Sequence, residues 1–186
     1  MKINVAITGG SCTGKSTLAA SLFAALKEAG YDYDLVTEES RKLKGEFSYQ
    51  SPFDRFYIWR QQEREEVRSR AVDGFITDAA LYQYYVSARQ HARDPRDQLA
   101  VRELFRMCQE LEVNGRYQLV VMALDPREIQ YKADAVRNST PEYASERHRI
   151  LRSFLEHLCP EKLLFVSGGV SERREAVLRR LLEMRA

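Results

Sequence analysis

One run near the amino terminus limits the folds open to this chain: Gly9-Gly10-Ser11-Cys12-Thr13-Gly14-Lys15-Ser16-Thr17. Its spacing, G-x-x-x-x-G-K-[ST], carries a structural demand, a strand entering and a helix leaving. Both flanks comply. Ile3 to Ile7 is short and β-prone, and Leu18, Leu22 and Leu26 recur at the helical interval after the run. Gly9 and Gly14 allow the backbone to turn tightly and approach an anion. The N–H groups of such a loop face inward, and the following helix adds its positive end. Lys15 is placed to reach the outer phosphates of a nucleotide as a point charge, and Ser16 offers a hydroxyl to Mg²⁺, with Thr17 beside it. The whole run, Gly9, Gly10, Ser11, Cys12, Thr13, Gly14, Lys15, Ser16 and Thr17, is therefore the expected nucleotide cradle, in which Cys12 is a filler position.

The remaining chain supports this setting. At 186 residues it is read as a single domain, 1–186, with room for an ample core. A net charge of +2 does not call for a nucleic-acid or membrane partner. No apolar run is long enough to span a bilayer, and the start leads straight into a strand without room for a signal peptide. Three cysteines, Cys12, Cys108 and Cys159, lack CxxC spacing, which suggests reduced thiols in the cytoplasm and no zinc site.

Five apolar strands alternate with helices. They are read at Ile3 to Ile7, Tyr33 to Thr37, Phe75 to Thr77, Leu119 to Ala123 and Leu163 to Ser167. The intervening helices are Thr17 to Lys27 (stopping at Gly30), Phe53 to Val72, Ala80 to Gln90, Asp97 to Val113, one beyond Thr140-Pro141, and a terminal helix entered through Ser171. This alternation predicts an α/β fold with a parallel sheet covered on both faces. Ligands of such sheets sit at the carboxyl ends of the strands. The phosphate loop, Glu38 and Glu39, Asp78, Asp125 and Gly168-Gly169 all fall at that edge.

With these motifs in place, the chain resembles the P-loop nucleoside and nucleotide kinases, and most of all the ribosylnicotinamide-kinase type. Gly9 to Thr17 matches the phosphate loop. Glu38-Glu39-Ser40-Arg41 is similar to an E-x-x-R segment, and Ile76-Thr77-Asp78 to a D-T-D segment. Lys132-Ala133-Asp134-Ala135-Val136-Arg137 resembles a D-G-x-R lid, with Ala135 in place of the glycine. The resemblance implies a three-layer P-loop NTPase fold with a mobile lid over residues 127–140. It also implies transfer of the γ-phosphoryl group of ATP·Mg²⁺ to a small nucleoside, nucleotide or ribosylnicotinamide-like acceptor.

Roles then follow, each beside a plainer one. Glu38 is the carboxylate that meets the acceptor hydroxyl, or it pairs with Arg41; Glu39 is the substitute if the register shifts. Asp78 holds Mg²⁺ with Ser16 or binds the acceptor, or it caps the helix from Ala80. Arg137 supplies positive charge from the lid, with Arg127 and Lys132 as weaker candidates, or is a solvated cation. Arg41 contacts acceptor or phosphate. Tyr82, Tyr85, Phe53, Tyr57 and Trp59 stack on a base or belong to the core. Gly168-Gly169 accommodates adenine or is a plain turn. His91, His148 and His157 are read as surface residues. Arg173, Arg174, Arg179 and Arg180 are read as a solvated helix face.

Three other functions share the motif. A kinase acting on the 5′-hydroxyl of a nucleic acid end calls for a basic channel that the charge balance does not suggest. A switch or motor NTPase usually has a strand ending in Asp-Glu, whereas Phe75 to Asp78 runs into Ala79. A non-catalytic regulator binds ATP without turning it over.

Overall fold

Side chains alternate across a strand, and that rule builds the molecule. In β1 (Val5–Thr8), Val5 and Ile7 enter one hydrophobic cluster while Ala6 enters another. In β4 (Leu119–Met122), Leu119 and Val121 join the first, Val120 and Met122 the second. A sheet apolar on both faces needs a layer of helices on each side. The computed structural model describes residues 1–43, 51–123 and 140–186, and supplies both layers.

Along the chain run β1, α1 (Lys15–Glu28), β2 (Tyr33–Val36), α2 (Glu39–Lys42), α3 (Asp54–Arg68), β3 (Gly74–Thr77), α4 (Tyr82–His91), α5 (Pro95–Val113) and β4. The last elements are α6 (Pro141–Leu158), β5 (Leu163–Phe165) and α7 (Val170–Arg185), with a 3₁₀ turn at Pro160–Lys162 before β5. The sheet order is β2-β3-β1-β4-β5, all pairs parallel. Helices α1 and α7 cover one face through Leu18, Leu22, Val177 and Leu181. Helices α3 to α6 cover the other through Ile58, Val86, Leu104 and Leu151. The expected three-layer α/β fold is the fold observed.

Element ends differ from the sequence reading where side chains capture the backbone. Helix α3 stops at Arg68, short of Val72, because the Asp34 carboxylate accepts from the Ser69 hydroxyl (2.7 Å) and the N–H groups of Arg70 and Ala71 (3.1 and 3.3 Å). Helix α5 starts earlier, at Pro95, since Asp94 caps it by accepting the Asp97 N–H at 2.9 Å. Helix α4 starts later, at Tyr82, after a turn in which the Leu81 N–H donates to the Tyr117 hydroxyl. Thr140 caps α6 as expected, accepting from the Tyr143 N–H. The short α2 had no signal in the sequence. The segment 127–139 with Arg127, Lys132 and Arg137, the acidic residue Asp125 and the loop residues 45–50 lie outside the described residues.

Candidate active site

All five strands run the same way, so their carboxyl ends share one edge. At that edge β1 delivers the phosphate loop, β2 delivers Glu38 and β3 delivers Asp78.

The loop is braced from within and from outside. The Thr13 hydroxyl donates to the Gly10 carbonyl at 2.9 Å, closing the turn. Gly14 holds φ +73° as it caps α1, a left-handed conformation that a side chain disfavours. The Lys15 ammonium bends back over the loop and donates to the carbonyls of Gly9 (3.2 Å) and Gly10 (2.8 Å). From α6, the His148 ring accepts the Gly10 N–H through Nδ1 at 3.2 Å. From α7, the Arg173 guanidinium donates to the Thr13 carbonyl at 2.9 Å.

Two carboxylates flank this loop. The Ser16 hydroxyl lies close enough to the buried Asp78 carboxylate to favour its charged form, and Asp78 Oδ1 has no hydrogen-bond partner. Burial raises the Asp78 pKa and Glu38 nearby raises it further, against the pull of Ser16, Lys15 and Arg41. Glu38 behaves differently. Burial pushes its carboxyl up, but Lys15, the Ser40 hydroxyl, Arg41 and Arg147 together hold it below the ordinary carboxylate range. Its charged form is therefore the favoured one. Arg41 donates to it at 3.1 Å, so the Glu38–Arg41 pair is present and at the same time faces the loop lysine. Glu39 turns away, its carboxylate bound by Lys42.

Gln62 of α3 sets this pair of strand ends in register. It is fully buried. Its carbonyl oxygen accepts from the Glu39 N–H (2.9 Å) and the Tyr84 hydroxyl (3.3 Å), while its amide donates to Thr37 O and Thr77 Oγ1. One side chain thus ties the exit of β2 to the exit of β3. Arg147 of α6 reaches the same region, donating to the Gln83 carbonyl at 3.3 Å and acting on Glu38.

Several sequence readings need correction. His148 is buried against the phosphate loop and is not a surface residue; His91 is half-buried and bonded to the Ser87 carbonyl, and His157 is exposed as expected. Arg173 is buried, whereas Arg179 and Arg180 are exposed. The alternative of Asp78 as a helix cap fails, since α4 starts only at Tyr82 and without a side-chain cap. Tyr82, Tyr85 and Trp59 belong to the core: Tyr82 donates to Glu112, and Tyr85 packs on Phe154 with ring centroids 4.6 Å apart. Phe53 and Tyr57 are exposed. At Gly168 (φ +86°) an added Cβ would stand 2.2 Å from the Glu172 carboxylate, which accepts the Gly169 N–H at 2.6 Å. That turn is built for closeness to Glu172. Gln62, Arg147, His148 and Arg173 escaped the sequence reading because each acts across a long stretch of chain.

Among the described residues no group of three or more His, Cys, Asp and Glu side chains could hold a metal alone. A cation bound together with phosphates fits the donors present: the Ser16 hydroxyl and the unpartnered Asp78 Oδ1 are hard oxygen ligands of the kind Mg²⁺ takes one or two of. No helix among the described residues is long and apolar enough to cross a membrane.

Comparison with known proteins agrees with this architecture. No curated protein matches the sequence. Among solved structures, NadR in complex with NAD and AMP-PNP superposes with a TM-score of 0.71 at 18% identity, over 96% of this chain and 49% of NadR. The chain thus spans about half the length of that relative. NadR in complex with NR gives 0.71 at 19% identity, over 98% of this chain and 51% of the other. Deoxyadenosine kinase from M. mycoides, solved with dCMP and dCDP, gives 0.68 at 14% identity, over 97% of this chain and 100% of that one. The AAA domain family profile matches residues 4–173, nearly the whole length and the entire phosphate-loop edge of the sheet, and the chain belongs to that family.

Proposed function

We propose that the protein is a single-domain cytoplasmic kinase that transfers the γ-phosphoryl group of ATP to a small nucleoside, nucleotide or ribosylnicotinamide-like acceptor. The observation that carries this reading is the meeting of an ionised carboxylate, Glu38, with the loop lysine and the Ser16–Asp78 pair at one sheet edge. A nucleotide-binding regulator has no use for a second carboxylate facing the phosphates.

Bound Mg²⁺ would supply charge neutralisation on the transferring group. The chain's own residues do the rest. Loop N–H groups and Lys15 grip the outer phosphates, and Lys15 leaves the Gly9 and Gly10 carbonyls to do so. Ser16 and Asp78 hold the cation. Glu38 receives a hydrogen bond from the acceptor hydroxyl and takes its proton as the new P–O bond forms and the β–γ bond breaks. Its depressed pKa suits orientation of the hydroxyl more than strong basicity, in keeping with a reaction dominated by positioning and charge. Arg41 and Arg147 supply positive charge beside Glu38, and Arg137, outside the described residues, is assigned the same role.

A single panel tests this. ATP consumption with Mg²⁺ is measured against nucleosides, nucleoside monophosphates, ribosylnicotinamide and 5′-hydroxyl oligonucleotides. Turnover is expected with a small acceptor and none with the oligonucleotide. Lys15→Ala is expected to reduce turnover at least about 100-fold, the scale of losing a principal charge in the transition state. Full activity of Lys15→Ala would refute the mechanism, and ATP binding without turnover on any acceptor would leave a regulator.

A further inference from the structure

Arg173 is the residue whose placement the phosphate loop alone does not explain. It lies in the first turn of α7 and is 5% exposed. Its one hydrogen bond among the described residues joins a guanidinium nitrogen to a neutral partner, the Thr13 carbonyl. Its Nε has no partner, and among the described residues no carboxylate pairs with it. A buried guanidinium without an anion is costly, because its desolvation is not returned by a counter-charge.

The direction of that charge is set by Gly14. A Cβ built there would stand 3.1 and 3.3 Å from the two terminal guanidinium nitrogens, so the cation lies flat against the bare backbone of the glycine. The Thr13–Gly14 peptide is trans, so the Gly14 N–H points away from the carbonyl that Arg173 holds. Gly14 has no side chain to stand between. The charge therefore acts on that N–H from behind, through one peptide unit.

We propose that Arg173 is a positioning and charge-supplying residue of the phosphate grip, which locks the Thr13–Gly14 turn and attracts the polyphosphate tail of a nucleoside di- or triphosphate. This rests on the nucleotide-binding reading above and adds to it a second fixed cation, held by the terminal helix against the Thr13–Gly14 turn. The neighbouring Arg174 provides an internal control: it has the same charge on the same helix, but is half-buried and donates to Ser21 of α1 at 3.2 Å.

The test compares AMP, ADP and ATP, the last two with Mg²⁺, by titration calorimetry on the full chain. The proteins are the parent, Arg173→Gln, Arg173→Lys and Arg174→Gln. Gln keeps a donor for the Thr13 carbonyl and removes the charge; Lys keeps the charge. Arg173→Gln is expected to weaken ADP and ATP about tenfold to hundredfold and AMP less than about threefold, the scale of one charge-assisted contact. Arg173→Lys should recover most of the loss, and Arg174→Gln should match the parent. Equal weakening of all three nucleotides by Arg173→Gln, or no weakening, would overturn the proposal. Thermal unfolding of each variant separates binding loss from misfolding, and if Arg173→Gln does not fold, a parent-like AMP/ADP/ATP pattern in Arg173→Lys supports the proposal and its loss refutes it. A parent that binds neither ADP nor ATP is a different result, since it removes the nucleotide-binding reading itself.

Discussion

Glu38 and Asp78 are both acidic, lie close enough to influence each other, and are pushed in opposite directions by their surroundings. Three cations and a hydroxyl hold the Glu38 carboxyl below the ordinary range, whereas burial and the nearby Glu38 charge raise that of Asp78. Pairs of carboxyl groups driven apart in this way divide labour between them. The expected consequence is specific. Glu38→Gln should cut kcat by about 100-fold or more while leaving nucleotide affinity within about threefold, since a positioned proton acceptor contributes on that scale. Steady-state kinetics with the best acceptor, alongside nucleotide titration, checks it; an unchanged kcat would remove Glu38 from the chemistry. That Glu38 rather than Glu39 faces the loop follows from α2, which turns Glu39 toward Lys42.

At the level of elements, the strand–loop–helix unit was fully legible, because everything that makes it is local: glycines at the turns, a helical leucine stripe and a β-prone entry. The edge on which Glu38 and Asp78 emerge was legible too, since parallel strands place successive exits together. What holds the loop from outside was not. His148 reaches Gly10 across 138 positions and Arg173 reaches Thr13 across 160, and neither helix pattern distinguishes an inward polar residue from a solvated one. Gln62 sits in a charged stretch of α3 and gives no sign that it bridges two strand exits. The position of α6 makes His148 a bolt between that helix and the loop. His148→Leu leaves the buried Gly10 N–H without an acceptor and should lower unfolding free energy by about 1–3 kcal/mol, measured by urea denaturation. A loss under about 0.5 kcal/mol would mean the bond is incidental.

Across the whole molecule, the edge opposite the site is tightly stitched. The Asp32 carboxylate accepts the Val72 N–H, the Asp73 carboxylate accepts the Asp32 N–H, and Arg185 at the end of α7 pairs with Asp73 at 2.9 Å. Ahead of β4 lies a buried polar network in which Glu66 accepts from the Tyr117 hydroxyl at 2.7 Å and pairs with Arg116 at 3.1 Å. Burial outweighs Arg116 and Tyr117 and pushes the Glu66 carboxyl up to about 7. The folded chain therefore binds more protons there than the unfolded chain between about pH 4.5 and 7, and stability falls as pH rises through that window. Glu66→Gln should flatten this dependence, so that the variant gains on the parent from pH 5 to pH 8 in thermal unfolding; parallel curves would contradict it. The stitched edge also settles where attachments go. Ile3, just before β1, donates its N–H to the Asp73 carbonyl, and Arg185, at the end of α7, donates to the Tyr33 hydroxyl. Ile3 and Arg185 thus share the underside of the sheet, so a fluorophore placed at either one reports from the edge away from Lys15, Glu38 and Asp78.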